Sequence, residues 1–221
     1  MTKLYRYFSL LLLVLLASLP FTPAPALAFL PVTGAQVLAP ATDALALPSL
    51  EDFTRQVNNG MVSRVTGIYV KDHFAFPVTQ QPDRQPAFVS SAEDTLTEFR
   101  SAASFGSLGF LAHNNLAGAE FSNLENGNLV TVVYGDGHYA IYQVKQVRRL
   151  QAIQPKNPYS SFVDLASGKT LTVEALFYET YGIQGQLILQ TCIAAEGNDS
   201  WGRLFIIAEP YSPSGGKQPL R

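Results

Sequence analysis

The 221-residue chain has one cysteine, one tryptophan, two methionines and three histidines. A single cysteine cannot form an internal disulfide, and it falls far short of a cysteine-based zinc site. Charge is also scarce: charged residues make up 14% of the chain, and Lys+Arg 15 against Asp+Glu 17 leaves a net charge of −2. No sequence-wide basic field exists to hold a polyanion, so no nucleic-acid partner is expected. What the chain does have is apolar and aromatic bulk, with 47% hydrophobic residues and 11% Phe, Tyr and Trp. That composition excludes a disordered chain and points to a folded domain with a sizeable core.

Lys3 and Arg6 precede the apolar run from Phe8 to Leu19, which a Pro-rich stretch follows, ending in Ala26-Leu27-Ala28. This layout reads residues 1–28 as a signal peptide and the protein as exported, extracellular or at the cell surface. The apolar run is about a dozen residues, short of the roughly 20 that span a hydrocarbon core. The alternative is an uncleaved anchor extended through Pro20 to Leu30, and a membrane is a partner only in that case. Residues 29–48 are Ala/Pro-rich without a steady period and read as a linker. In an oxidising compartment thiols tend to be paired or eliminated, so the lone Cys192 needs an explanation.

Ser49 and Asp52 open a short helix carrying Leu50, Phe53 and Val57, which stops at Asn58-Asn59-Gly60. β-branched and aromatic runs of strand length then follow at 65–70, 73–78, 107–113, 129–134, 139–147, 186–192 and 203–209. Alternation from Tyr139 to Val147, joined to the preceding strand by Gly135-Asp136-Gly137, makes 129–147 a hairpin. Ser91 and Asp94 are read as capping a second helix with Leu96, Phe99 and Ala103, and Thr172 to Tyr181 as a third that stops at Gly182. Residues 148–185 read largely as a long loop, of the kind that builds binding sites on a rigid frame. Lys145, Arg148 and Arg149 read as a solvated basic edge, and the 211–221 tail as disordered. The sum is an all-β domain over 49–210, a barrel or sandwich with a few short helices.

Three segments place a reactive or charged side chain at the edge of an apolar strand: LAHNN around His113, LILQTC ending in Cys192, and SWGRLFII with Arg203. An imidazole near a thiol favours the thiolate, which is the attacking species. A fixed guanidinium has donors to offer an oxyanion. The trio matches covalent acyl transfer. Taken singly, each has a plainer reading, namely a buried small hydrophobe, a surface histidine and an edge-strand charge. Trp201, in a polar loop between Cys192 and Arg203, either packs as core or lines a cleft.

From about Ile68 to Pro210, roughly two thirds of the chain, the sequence resembles sortases, the exported cysteine transpeptidases of bacterial surfaces. The resemblance rests on the order His, then Thr-Cys closing a strand, then Arg opening the next. The family's Thr-Leu-x-Thr-Cys signature is similar to Ile188-Leu189-Gln190-Thr191-Cys192, with Ile in place of the first Thr. Its F-x-x-L-x-x-G-[DN] segment is matched by Phe121, Leu124, Gly127 and Asn128, and its Tyr-x-Val by Tyr142-Gln143-Val144. The resemblance implies an eight-stranded barrel, with Cys192 as nucleophile, His113 as acid/base, and Arg203 as the stabiliser of the oxyanion or substrate carbonyl. It has Thr191 shape the pocket beside the thiol, and Thr191, Trp201, Leu189 and Asn114 are the expected peptide contacts. It implies as partners a sorting-signal peptide of exported proteins and an amine acceptor of cell-wall or pilin type, with water as a substitute acceptor. The alternative is an inactive barrel of the same fold, serving as a binding or structural module. No metal site and no cofactor are expected; Glu120, Glu125 and Asn126 could offer oxygens to a calcium such as some sortases bind, but a hard cation needs six or more.

Overall fold

The structure is a computed structural model that describes residues 47–157 and 159–212. The expected signal peptide and most of the expected linker lie outside the described residues. Helix α1 (Leu50–Val57) starts where Ser49 accepts a hydrogen bond from the Asp52 N–H, and it buries Phe53. That ring lies close over Gly67 of the first strand, where a Cβ would collide with it.

Ten strands follow: β1 (Val65–Val70), β2 (Phe74–Gln80), β3 (Leu96–Glu98), β4 (Leu108–Leu111), β5 (Leu129–Tyr134), β6 (Tyr139–Ala152), β7 (Phe162–Asp164), β8 (Thr170–Leu171), β9 (Leu187–Ala195) and β10 (Asn198–Pro210). Their order is β10-β9-β4-β3-β2-β1-β5-β6, and β6 pairs back onto β10. These eight strands close into a barrel, while β7 and β8 extend outward from β6. Closure removes the free sheet edges that invite aggregation. Neighbours are antiparallel except β2 with β3 and β4 with β9.

The barrel interior is filled by Ile68, Phe74, Leu96, Phe110, Val132, Leu189 and Ile206 among others. Phe121 and Leu124, two residues of the matched segment after His113, also belong to this interior. A second apolar cluster lies on the outer face of β4, β9 and β10, beneath helix α3 (Val173–Tyr181). Helix α3 buries Val173, Leu176, Phe177, Thr180 and Tyr181, the one-sided stripe of a helix laid on a sheet. It is capped by Thr172 and stops at Gly182 as its sequence predicts.

The 129–147 hairpin is present, with Val133 opposite Tyr139. Four expectations are corrected. The helix expected from Ser91 is instead β3 followed by the short α2 (Arg100–Ala103). Asp94 has a left-handed φ of 51°, which breaks any helix there, and Leu96 fills the barrel interior between β2 and β4. The long loop from 148 is mostly structure, because β6 runs on to Ala152 and then come β7, β8 and α3. Arg148 is not a solvated edge charge: it is largely buried and pairs with Asp164 and Glu179 at 3.1 and 3.3 Å. In the expected tail, the Tyr211 N–H donates to the Ile141 carbonyl, and residues beyond 212 lie outside the described residues.

Candidate active site

Alternation along β9 and β10 sends their side chains to two different places. Leu187 and Leu189, with Leu204, Ile206 and Ala208, face the barrel interior. Ile188, Phe205 and Ile207 face outward under α3, so Gln190, Cys192 and Arg203 belong to the outer row by parity. Cys192 is directly opposite Arg203 in the β9–β10 ladder. Directly opposed residues share a face, with Cβ atoms about 5 Å apart. The thiol is free and half-buried.

On the other side of β9 runs β4, in parallel register with Leu111 beside Gln190. The ladder continues one residue further, as the Ala112 N–H donates to the Gln190 carbonyl at 3.2 Å. His113 is two residues past Leu111, as Cys192 is two past Gln190. The β9–β10 ladder sets Cys192 and Arg203 side by side, and His113 follows two residues after the end of β4 on the other side of β9. The other two histidines sit at hairpin ends away from this row: His73 just before β2, and His138 stacked on Tyr134 and paired with Asp136.

Local contacts hold this row in place. The Thr191 hydroxyl donates to the Ala112 carbonyl at 2.9 Å, tying β9 to the residue before His113. The His113 carbonyl accepts from the Leu116 and Gly118 N–H groups, both at 3.0 Å. Gly118 is required: a Cβ there would run into the Thr191 hydroxyl and the His113 and Ala112 carbonyls. Asn114 Nδ2 donates to the Asp199 carbonyl at 3.1 Å, stapling the turn after His113 to the β9–β10 hairpin. Thr191 and Asn114, expected as peptide contacts, thus use their polar atoms on the frame. Leu189 is corrected outright: it is 0% exposed in the barrel interior, on the face opposite Cys192. Trp201 is not in a loop but in β10, where two extra residues bulge between Asn198 and Gly202. It is half-buried, and its indole N–H is buried without a partner among the described residues.

Arg203 is 4% exposed. Its Nη1 donates to the Gly202 and Ser200 carbonyls at 2.8 and 3.3 Å, and its guanidinium lies 5.7 Å from the centre of the Phe162 ring. Among the described residues no carboxylate pairs with it. Burying a cation without a counter-ion costs stability. Arg203 lines a small crevice, with room for about one water molecule, together with Gln190, Phe162, Asn157 and Ser160. Sequence reasoning missed Gln190 and Phe162. The available signal was the polar Gln190 directly after the apolar run from Leu187 to Leu189. Among the described residues no cluster of His, Cys, Asp or Glu is arranged to hold a metal, and no helix is long and apolar enough to cross a membrane.

No protein-family model and no curated protein matches the chain. Solved structures similar to it include sortase A from Corynebacterium diphtheriae, at 12% identity and TM-score 0.46, over 75% of this chain and 70% of that one. Sortase C-1 from Actinomyces oris is similar at 12% identity and TM-score 0.46, over 75% and 82%. Listeria monocytogenes sortase A is similar at 11% identity and TM-score 0.42, over 67% and 87%. The fold and the row of side chains described above stand on this chain's own strand order and hydrogen bonds.

Proposed function

We propose that the chain is a sortase-like cysteine transpeptidase, acting on a short peptide segment through Cys192, His113 and Arg203. The observation that carries this reading is the direct opposition of Cys192 and a buried, counter-ion-free Arg203, with His113 two residues past the end of β4 on the other side of β9. In the first step the Cys192 thiolate adds to a peptide carbonyl carbon, and the charge that develops on oxygen meets the Arg203 guanidinium. The C–N bond then breaks, the leaving amine takes a proton from His113, and a thioester remains on Cys192. In the second step an incoming amine gives its proton to His113, forms the new C–N bond and expels the thiolate. Water in place of the amine turns the same steps into hydrolysis.

The substrate we infer is a sorting-signal peptide of exported proteins, and the acceptor an amine of cell-wall or pilin type. The place of action is the outer side of a membrane, reached through the N-terminal segment. A non-catalytic barrel used as a binding module is the competing reading, favoured by the half-burial of Cys192. Incubation with peptide pools, followed by mass spectrometry of the intact protein, tests between them. A thioester adduct that disappears in Cys192→Ala supports transpeptidation, and turnover that survives Cys192→Ala sinks it. The rate of thiol alkylation against pH gives a second readout: a binding module's thiol stays inert, whereas an active-site thiol reacts and loses that reactivity in His113→Ala.

A further inference from the structure

We infer that Tyr181 is a positioning residue: it holds the side-chain carbonyl of Gln190 away from Arg203 and so keeps that guanidinium free for the reacting oxygen of the substrate. The inference rests on the proposed function for the role of Arg203. Arg203 Nη1 donates to the Gly202 and Ser200 carbonyls. A guanidinium has several N–H donors in a rigid fork, so it has more to give to any further acceptor within reach. Gln190 carries such an acceptor. It is opposite Phe205 in the β9–β10 ladder, as Cys192 is opposite Arg203. Gln190 and Arg203 are thus diagonal neighbours on the outer face, a spacing that long side chains bridge. Both line the crevice, where no more than about one water fits between them.

The amide is oriented from the side of α3. The Tyr181 hydroxyl donates to Gln190 Oε1 at 2.6 Å, a length usual for O–H···O bonds and shorter than N–H···O bonds run. This sets Oε1, and not Nε2, toward Tyr181. The ring itself cannot wander. Tyr181 is 0% exposed and packs against Phe99, Phe177 and Phe205. Its carbonyl accepts from the Ser107 hydroxyl at 3.0 Å, which ties the end of α3 to the residue before β4. Burial pushes the phenol far above the usual tyrosine range, so the group keeps its proton and stays a donor. The acceptor of the Gln190 side chain is therefore spent on Tyr181. An amide free to turn end for end would offer Oε1 to the crevice instead. A cation there makes a charge-assisted hydrogen bond, stronger than the neutral one it replaces. That bond would compete with the substrate oxyanion for the same donors.

The test uses the full chain and the single peptide that gives the highest turnover among the pools. Tyr181→Phe keeps the ring and removes the donor. It is expected to lower kcat on the order of ten-fold while KM stays within about two-fold, the size of one competing hydrogen bond to a charged group. Adding Gln190→Leu to that variant is expected to bring kcat back to within about three-fold of wild type, because leucine has no acceptor and no polar partner is left behind. A merely structural role for Tyr181 predicts the opposite, since a second buried substitution would loosen α3 further. A kcat unchanged in Tyr181→Phe, or a double variant no faster than Tyr181→Phe, overturns the inference. Nitrogen NMR of isotope-labelled arginine reads the guanidinium without turnover. The Arg203 signals, assigned through Arg203→Met, are expected to shift and to exchange more slowly with water in Tyr181→Phe than in wild type. Unchanged signals overturn the inference too, so the test survives a failure of the double variant to fold. Signals that move as expected, in a protein whose wild type gives no turnover and no thioester, would leave the restraint of Gln190 standing and remove the transpeptidase reading.

Discussion

The inner and outer faces of β4, β9 and β10 are built from alternate residues of the same three strands, yet they do opposite work. The inner face contributes Phe110, Leu187, Leu189, Leu204 and Ile206 to a dry core. The outer face carries Gln190, Cys192 and Arg203 between the helix α3 cluster and a small crevice. One face gains free energy by burying apolar surface, and the other gives some up by burying a cation without a counter-ion. Because the two faces share backbones, the rigidity gained on the inside fixes positions on the outside. That is the arrangement a preorganised site requires.

Substitutions on the two faces should therefore fail in different ways. The largest effect is expected at Cys192→Ala: complete loss of peptide turnover, with stability changed by less than about 1 kcal/mol because the side chain is small and half-buried. A denaturant titration beside the turnover assay checks both halves, and a large loss of stability would mean that Cys192 is core after all. Next comes Arg203→Met, expected to lower turnover at least about a hundredfold while leaving stability equal or higher. The oxyanion partner goes, and so does the cost of a buried, counter-ion-free cation. A Tm that falls sharply in this variant would show that Arg203 is structural.

Leu189→Ala, three residues from the signature's end, is expected to show the reverse pattern, with a loss of about 2–5 kcal/mol in unfolding free energy and normal alkylation of Cys192 in the molecules still folded. Gly118→Ala lies between the two extremes. Its methyl must displace the Thr191 hydroxyl or the His113 carbonyl, at a cost of about 1–3 kcal/mol, and whichever moves shifts His113 against Cys192. The expected outcome is a fall in kcat larger than the fall in stability accounts for.

Legibility in the sequence followed the same division. The 129–147 hairpin was readable because strict alternation and a Gly-Asp-Gly turn specify it locally, and α3 because Thr172 and Gly182 mark its ends. Strand β3 was not readable. Three residues, Leu96 to Glu98, carry no period, and their conformation is set by β2 on one side and β4 on the other. β7 and β8, at three and two residues, were hidden in an apparent loop for the same reason. At the site, the order of His113, Cys192 and Arg203 could be read, but which face each neighbour takes could not. Leu189 and Gln190 are adjacent in sequence, and only pairing with β4 and β10 sends the leucine inward and the glutamine to the crevice.

The smallest effect belongs to the frame that holds the crevice's outer wall. Arg148 on β6 pairs with Asp164 on β7 and Glu179 on α3, and Lys169 also reaches Glu179 at 2.9 Å. Burial pushes the Asp164 carboxyl up, but the backbone N–H groups of Ser167 and Ala166 and the Arg148 guanidinium outweigh it and hold the group below its usual 3.8. The Lys169 hydrogen bond leads in holding Glu179 below 4.5. Groups depressed in the folded state stabilise it above their unfolded values, and that contribution is lost as pH falls through the folded ones. The contribution of this cluster should therefore be level above about pH 5 and decline below 4.5 as Glu179 and Asp164 take protons. Arg148→Gln should lower stability at neutral pH by about 1–3 kcal/mol, since it leaves a buried carboxylate short of its cation. The gap between variant and wild type should narrow as the pH is taken from 5 to 3, and a gap independent of pH would mean that Arg148 acts through packing alone.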